Sequence, residues 1–253
     1  MTSVRRKITD GIARLTLTRP DAANAIDFDL ADALFDALDH AAGDDAVRCI
    51  VLGAEGKLFC GGGDISAFGQ ATDALPEQIG ALARSLHRSI ALIDQLDKPL
   101  VTSIQGTAAG AGLVLAALGD IALASDRARF HPAYLGIGLT PDGGTTWHLP
   151  RLVGARRATE MLLCGQTMDA DEAAACGLIT RVVPHDRLHE ETQSVAARLA
   201  KAPGWALRRT KHLLAQGRSA SLRDHLDAEA TGIAEAASRP DAAAAIRTFL
   251  SRR

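Results

Sequence analysis

The sequence predicts an α/β fold in which strands and helices alternate along most of the chain. Two short apolar runs, 48–52 and 100–104, have the length of buried strands, and each leads into a glycine-rich loop and then a helical pattern. From about residue 186 the strand pattern stops and only helical patterns follow. A chain of 253 residues is long enough for one large domain, or for a domain with an appendage.

The elements can be placed in order from the residue pattern. Residues 4–18 predict a β-hairpin because two short strands flank the turn sequence Asp10-Gly11. A helix that follows Pro76 is expected to end before Lys98-Pro99, since the residue before a proline disfavours helical backbone. Residues 109–118 are apolar on all sides, which predicts a buried helix. The remaining predictions in this half are a helix over 29–42, strands over 48–52, 100–104 and 121–124, and a strand around Phe130.

The last part of the chain predicts helices only. Glycine, proline or serine separates the four helical stretches, which are 189–201, 204–216, 222–238 and 241–253. Several alanines give these helices one side with only small side chains. This favours close packing against another helix layer, such as one in another subunit. The plain alternative is a set of exposed alanine-rich helices.

Composition excludes several classes of function. The formal net charge of −2 gives no basic surface for nucleic acid and no polybasic patch for a membrane. No apolar run approaches the roughly 20 residues that a membrane-spanning helix needs, and the first residues lack the apolar core of a signal peptide, so we expect a cytoplasmic protein. The four cysteines form no C-x-x-C pair, and we therefore expect neither a disulfide framework nor a metal site.

Two glycine-rich stretches carry the strongest functional signal. They are FCGGGDI at 59–65 and GTAAGAG at 106–112, and each follows a predicted strand. Residues without bulky side chains let the backbone approach a ligand and leave N–H groups free to point at it. If the two loops meet in space, each can give one N–H to the same oxygen, which is the construction of an oxyanion hole.

Five stretches in register resemble the crotonase superfamily, the enoyl-CoA hydratase/isomerase proteins. The two glycine-rich loops resemble its oxyanion-hole loops, and the sequence from Gly138 through Pro141-Asp142-Gly143-Gly144 to Gly154 resembles a third signature. The resemblance extends over nearly the whole chain, at 59–65, 98–120, 138–154, 173–179 and 211–214.

The resemblance implies a fold, a substrate class and a set of site residues. The fold is a crotonase-like spiral of ββα units over 1–195 with a C-terminal helical trimerisation region over 196–253, giving a homotrimer or a dimer of trimers. The substrates are acyl-CoA thioesters, so coenzyme A arrives with the substrate and no separate cofactor is implied. By position, the backbone N–H groups of Gly63 and Ala111 would hold the thioester oxygen, and Asp64, Ile65 and Ser66 would line the coenzyme A site. Asp64 also has the plain interpretation of a helix N-cap.

The sequence departs from the family's hydratases at both catalytic glutamates. The matching positions are Val114 and Tyr134, and neither side chain is a carboxylate base at neutral pH. Asp142 lies at a loop position where some family isomerases carry their base, so the sequence favours a double-bond isomerase that uses Asp142 as a single base. The plain alternative for Asp142 is a turn residue before a helix.

Three other functions stay open. A hydratase could use a different acid and base. A hydrolase or dehalogenase could use Asp142 as nucleophile with His87 activating water, although a histidine at the boundary of an amphipathic helix is the plainer interpretation. A non-catalytic acyl-CoA binder is the third. Cys60 is a weaker candidate nucleophile, and the shape of the acyl pocket is expected to depend on 69–76 and on the surroundings of Tyr134.

Overall fold

The computed structural model describes residues 2–68 and 73–251 of the chain. Its strands form a large sheet and a small one. The strands are β1 Val4–Thr9, β2 Ile12–Leu17, β3 Cys49–Ala54, β4 Leu100–Ile104, β5 Ala108–Ala109, β6 Ile121–Ser125, β7 Arg129–His131, β8 Met168–Asp169 and β9 Arg181–Val183.

The helices lie between the strands and then fill the end of the chain. They are α1 Phe28–Gly43, α2 Leu75–Asp94, α3 Ala111–Ala117, α4 Thr145–Val153, α5 Ala155–Cys164, α6 Ala170–Ala175, α7 Leu188–Lys201, α8 Gly204–Gln216, α9 Leu222–Ala237 and α10 Pro240–Leu250. Single turns of 3₁₀ helix occur at Pro20–Ala22, Ile65–Phe68, Leu135–Ile137 and His185–Arg187.

The large sheet has the strand order β1-β2-β3-β4-β6-β9. Strands β1 and β2 pair antiparallel, as the hairpin prediction requires, and the pairs from β2 to β9 are parallel. Because parallel strands point the same way, the loops that follow β3 and β4 leave the sheet at one edge. The small sheet has the strand order β5-β7-β8. Its first strand, β5, follows β4 along the chain.

The two faces of the large sheet are buried in different layers. Along β3, Cys49 and Val51 belong to an apolar cluster that includes Val195 of α7. The alternate residues Ile50 and Leu52 belong to the main core, which also contains the buried face of α1. This alternation arises because successive residues of a strand point to opposite faces of the sheet. A strand that is buried on both faces therefore needs a nearly continuous apolar run.

The predicted elements are found with small shifts at their ends. The hairpin, the strand at 100–104 and the helix at 204–216 lie where the pattern placed them, and every residue of α3 is buried. The predicted boundary between the α/β core and the helical region, at residue 195, falls inside α7, and this helix packs against the large sheet. The division of the chain into two parts stays a prediction. Of the predicted pocket segment, 69–72 lies outside the described residues, as do 252–253 of the last predicted helix.

The mixed α/β fold confirms the predicted fold class. Across 2–68 and 73–251, the helices are too short or too polar to cross a membrane.

Candidate active site

The two glycine-rich loops touch each other through their backbones. Cys60 and Ala108 form a parallel bridge in which the Cys60 N–H bonds the Thr107 carbonyl at 3.3 Å and the Ala109 N–H bonds the Cys60 carbonyl at 2.9 Å. The Phe59 N–H shares the Thr107 carbonyl at 3.0 Å. The loop after β3 is therefore hydrogen-bonded to the loop after β4.

Glycine is required where these loops approach most closely. A β carbon on Gly112 would lie 2.4 Å from the Cys60 carbonyl oxygen, and one on Gly106 would lie 1.9 Å from the Lys57 carbonyl oxygen. Gly62 has a φ of +96°, and a β carbon there would lie 3.0 Å from the Ala109 oxygen. Any larger residue at these positions would separate the loops, because real β carbons do not approach backbone oxygens so closely.

The Gly63 N–H is left free by this arrangement. In the bridge between Ile26 and Gly63, Ile26 donates to the Gly62 carbonyl at 2.7 Å and accepts from Asp64 at 2.8 Å. A parallel bridge of this kind turns the N–H of the central residue, Gly63, away from its partner strand. No acceptor for it occurs within 2–68 or 73–251.

The Ala111 N–H is the corresponding free donor on the second loop. Gly110 precedes α3 with a φ of +52°, and its own N–H bonds the His131 carbonyl at 2.9 Å. Ala111 then begins the helix, where the first N–H groups have no intrahelical acceptor. Its N–H, too, finds no partner in the described part of the chain.

Asp64 lies on the first loop as part of an ion-pair network. Arg19 contacts Asp64 at 3.1 Å and Asp27 at 2.9 Å, and the Ser66 hydroxyl donates to the Asp64 carboxylate. The Ser66 hydrogen bond, followed by Arg19, lowers the pKa of Asp64 below its ordinary value. Ile65 follows with half of its surface exposed. Of the three predicted coenzyme A contacts, Asp64 and Ser66 are thus already engaged with each other, whereas Ile65 is exposed.

Asp142 lies in a tight loop that two glycines make possible. Gly143 and Gly144 have φ values of +59° and +74°, and a β carbon on Gly143 would lie 2.9 Å from the Val114 side chain. Val114 is three residues after Ala111, hence on a neighbouring position of α3. The helix that presents the free Ala111 N–H therefore also packs against the Asp142 loop.

The Asp142 carboxylate is held by the residue at the second glutamate position. The Tyr134 hydroxyl donates to Asp142 Oδ1 at 3.0 Å. The Asp142 carbonyl accepts from the Thr145 N–H at 3.0 Å and from the Thr145 hydroxyl at 2.7 Å. Oδ2 has no partner within the described ranges, so one oxygen of a fixed carboxylate is available for proton transfer.

His87 reaches the same loop through a hydrogen bond to its backbone. Its Nε2 lies 3.1 Å from the Gly143 nitrogen. Because a backbone N–H can only donate, Nε2 must be the unprotonated acceptor in this contact. Nε2 is therefore engaged by the Gly143 N–H in this arrangement.

Cys60 is an unfavourable nucleophile here. The side chain is completely buried, and burial raises the pKa of its thiol to about 12. A thiol in this environment stays protonated at neutral pH and is inert.

The contacts of Tyr134, His87 and Arg19 could not be recognised from the sequence. Tyr134 contacts Asp142 from 8 residues away in sequence, and His87 contacts Gly143 from 56 residues away. The signal that was available is indirect: a tyrosine stands where the family's hydratases have a glutamate.

Comparison with known proteins agrees with this architecture. The chain is 31% identical to a trans-2-decenoyl-[acyl-carrier-protein] isomerase of Streptococcus mutans over 88% of this chain and 85% of that protein. It is 32% identical to 4-chlorobenzoyl coenzyme A dehalogenase-2 of Arthrobacter over 96% of this chain and 89% of that protein. A crystal structure of an enoyl-CoA hydratase from Polaromonas sp. JS666 superposes with a TM-score of 0.92 at 28% identity, covering 99% of this chain and 97% of that one.

These relatives carry three different activities on one fold, so overall similarity does not select among them. The sequence family described as enoyl-CoA hydratase/isomerase matches residues 7–253. With the crotonase fold and nearly the full length matched, the chain belongs to the enoyl-CoA hydratase/isomerase family.

Proposed function

We propose that this protein is an isomerase that moves a carbon–carbon double bond in an acyl-CoA thioester. The observation that carries the proposal is the single free carboxylate oxygen of Asp142. It belongs to a site where the two hydratase glutamates are replaced by Val114 and Tyr134. A shift of a double bond needs one base that takes and returns a proton, whereas the two-glutamate route to water addition needs two.

The proposed reaction begins with proton abstraction next to the thioester carbonyl. Asp142 takes a proton from the α carbon of a 3-enoyl thioester, and the electrons move onto the carbonyl oxygen to give a dienolate. Gly63 and Ala111 donate their N–H groups to that oxygen; removal of one such donor typically slows a reaction by about 10²- to 10³-fold. Asp142 then returns the proton to the γ carbon, which brings the double bond into conjugation.

The site supports this assignment through preorganisation. The two backbone donors lie on loops that contact each other, and Asp142 is held at its carboxylate by Tyr134 and at its backbone carbonyl by Thr145. No group has to be recruited after substrate binds, and proton transfer between two carbons of one substrate needs no cofactor beyond the coenzyme A that it carries. The isomerase among the relatives is consistent with this chemistry.

The first prediction concerns Asp142→Asn. Wild type should convert 3-enoyl thioesters to conjugated 2-enoyl thioesters, followed by ultraviolet absorbance, and deuterium placed at the α carbon should appear at the γ carbon. Asp142→Asn should lower kcat by about 10²- to 10⁴-fold, the usual contribution of a general base. The matched control is Asp186→Asn, an exposed carboxylate on a distant turn, which should keep wild-type activity.

The same panel distinguishes the other functions. Full isomerase activity in Asp142→Asn contradicts the proposal. Water addition to crotonyl-CoA by wild type would instead indicate a hydratase, and a covalent acyl or aryl adduct on Asp142 by mass spectrometry would indicate a hydrolase or dehalogenase. Binding without turnover of any thioester would indicate a non-catalytic binder.

A further inference from the structure

The Tyr134 hydroxyl lies between two acceptors although it has one hydrogen. Asp142 Oδ1 is 3.0 Å from it and Thr145 Oγ1 is 3.2 Å from it. Both distances are within hydrogen-bond range, and rotation of the O–H bond alone can exchange one partner for the other. The tyrosine is buried, which raises the pKa of its hydroxyl above the ordinary value and keeps the hydrogen in place at neutral pH.

Thr145 competes with Asp142 for that hydrogen. The Thr145 hydroxyl is 2.7 Å from the Asp142 carbonyl, and only Thr145 can donate in that contact. With its own hydrogen used there, Thr145 Oγ1 can take part in the contact with Tyr134 only as an acceptor. Both partners of Tyr134 therefore accept, and the stronger acceptor takes the hydrogen.

We propose that Tyr134 is a positioning residue whose hydroxyl follows the protonation state of Asp142. It donates to Oδ1 while Asp142 is an ionised base, because hydrogen bonds to charged acceptors are about twice as strong as neutral ones. It turns to Thr145 Oγ1 when Asp142 carries the proton taken from substrate. Oδ2 is then the oxygen that exchanges the proton. This inference rests on the proposed function, in which Asp142 is the base.

The local backbone is built to present Tyr134 in this position. The preceding residue, Ala133, has a φ of +52°, a left-handed conformation that costs a residue with a β carbon about 1–2 kcal/mol. Strained positions of this kind tend to occur at functional sites. Tyr134→Phe retains the buried ring and this backbone, so it removes the hydroxyl alone.

The test is a titration of the Asp142 carboxyl carbon by ¹³C NMR in the free enzyme. The resonance is assigned by its absence in Asp142→Asn. Tyr134→Phe should move the midpoint upwards, because the ionised carboxylate loses a hydrogen bond that stabilises its charged form. Thr145→Val should move it downwards, because the protonated state loses the alternative acceptor for Tyr134. Thr145→Ser, which keeps the hydroxyl, should match wild type.

Opposite shifts are the signature of the two-acceptor arrangement. The titratable side chains that face the loop from the described elements are Tyr134, His87 on α2 and His148 on α4. Both histidines are retained in every variant. An unchanged midpoint in Tyr134→Phe, or shifts of both variants in the same direction, would overturn the inference.

Kinetics separate this inference from the proposed function. Tyr134→Phe should lower kcat about 10-fold with little change in KM, and the acid limb of the kcat profile should move upwards with the NMR midpoint. If Asp142→Asn keeps full isomerase activity, the proposed function fails whatever the titration shows. If Asp142→Asn is inactive but Tyr134→Phe shows neither effect, only the role of Tyr134 fails.

Discussion

At the scale of single residues, Arg19 links the first glycine-rich loop to the start of α1. It contacts Asp64 on the loop and Asp27, whose side chain caps α1 by accepting from the Leu30 N–H at 2.8 Å. The side chains of Arg19 and Asp64 are 22% and 13% exposed, so solvent screens this pair less than a surface ion pair. The position of the first glycine-rich loop therefore depends on the negative charge of Asp64.

We expect Asp64→Asn to lower the free energy of unfolding by about 1.5–3 kcal/mol at neutral pH, the usual contribution of hydrogen bonds to a charged group. Because the pKa of Asp64 is lowered in the folded protein, its contribution is present above the ordinary value of 3.8 and is lost as the pH falls below it. Urea unfolding at pH 7 and near pH 3 measures both. A difference between variant and wild type that is equally large at the two pH values would contradict the role of the charge.

The sequence was informative about single residues where a motif fixes their place. Gly63 and Ala111 come shortly after strands β3 and β4, and Asp142 was located by the signature at 138–154. Tyr134 was recognised only as a missing glutamate, because its hydrogen bond to Asp142 depends on the path of an irregular segment. A site that is formed by two irregular segments leaves no periodic pattern in the sequence.

At the scale of elements, the position of α3 depends on Gly112. This residue faces the Cys60 carbonyl at a distance that leaves no room for a side chain. Helix α3 is buried throughout and begins with the free Ala111 N–H. A change in its packing should therefore move the donor relative to Gly63.

We expect Gly112→Ala to destabilise the protein by about 1–3 kcal/mol, the usual cost of overpacking a core, and to lower kcat more than 10-fold. The control is Gly136→Ala, since a β carbon there meets nothing within 4 Å. Thermal unfolding and isomerase kinetics report the two effects. Wild-type stability in Gly112→Ala would show that the loops can separate without cost.

Most of the long elements were predicted from the sequence, whereas helix α5 and the two-residue strands were not. Apolar runs and helical spacing located β4, α3 and α8 because each of these elements shows its own period. Strands β5 and β8 have two residues each, too few for any alternation to be visible. They form through pairing with β7, a tertiary contact that only the folded chain provides.

At the scale of the whole molecule, the C-terminal helices leave apolar side chains uncovered. In α8 and α9, Leu214, Leu222 and Ile233 are 70%, 74% and 73% exposed. Apolar surface of this extent marks an interaction site on a folded protein. It supports the expectation of a homotrimer or a dimer of trimers, which the family resemblance also implies.

We expect light scattering at micromolar concentration to give the mass of a trimer or hexamer. Ile233→Glu should lower that mass, because a charge on the apolar face opposes association, while the circular dichroism of the chain stays native. Glu235→Gln, a change of one charge on the same helix, should leave the mass unaltered. A monomer in the wild type would contradict this expectation.

The bridge between Cys60 and Ala108 determines when the two loops lose their backbone conformational entropy. The two loops become ordered when the sheet forms, because their hydrogen bonds continue the pairing of β3 and β4. The backbone freedom of the two donors is therefore lost once, during folding, and not again in each catalytic cycle. Under the proposed function, the binding energy of the coenzyme A moiety remains available to orient the acyl chain.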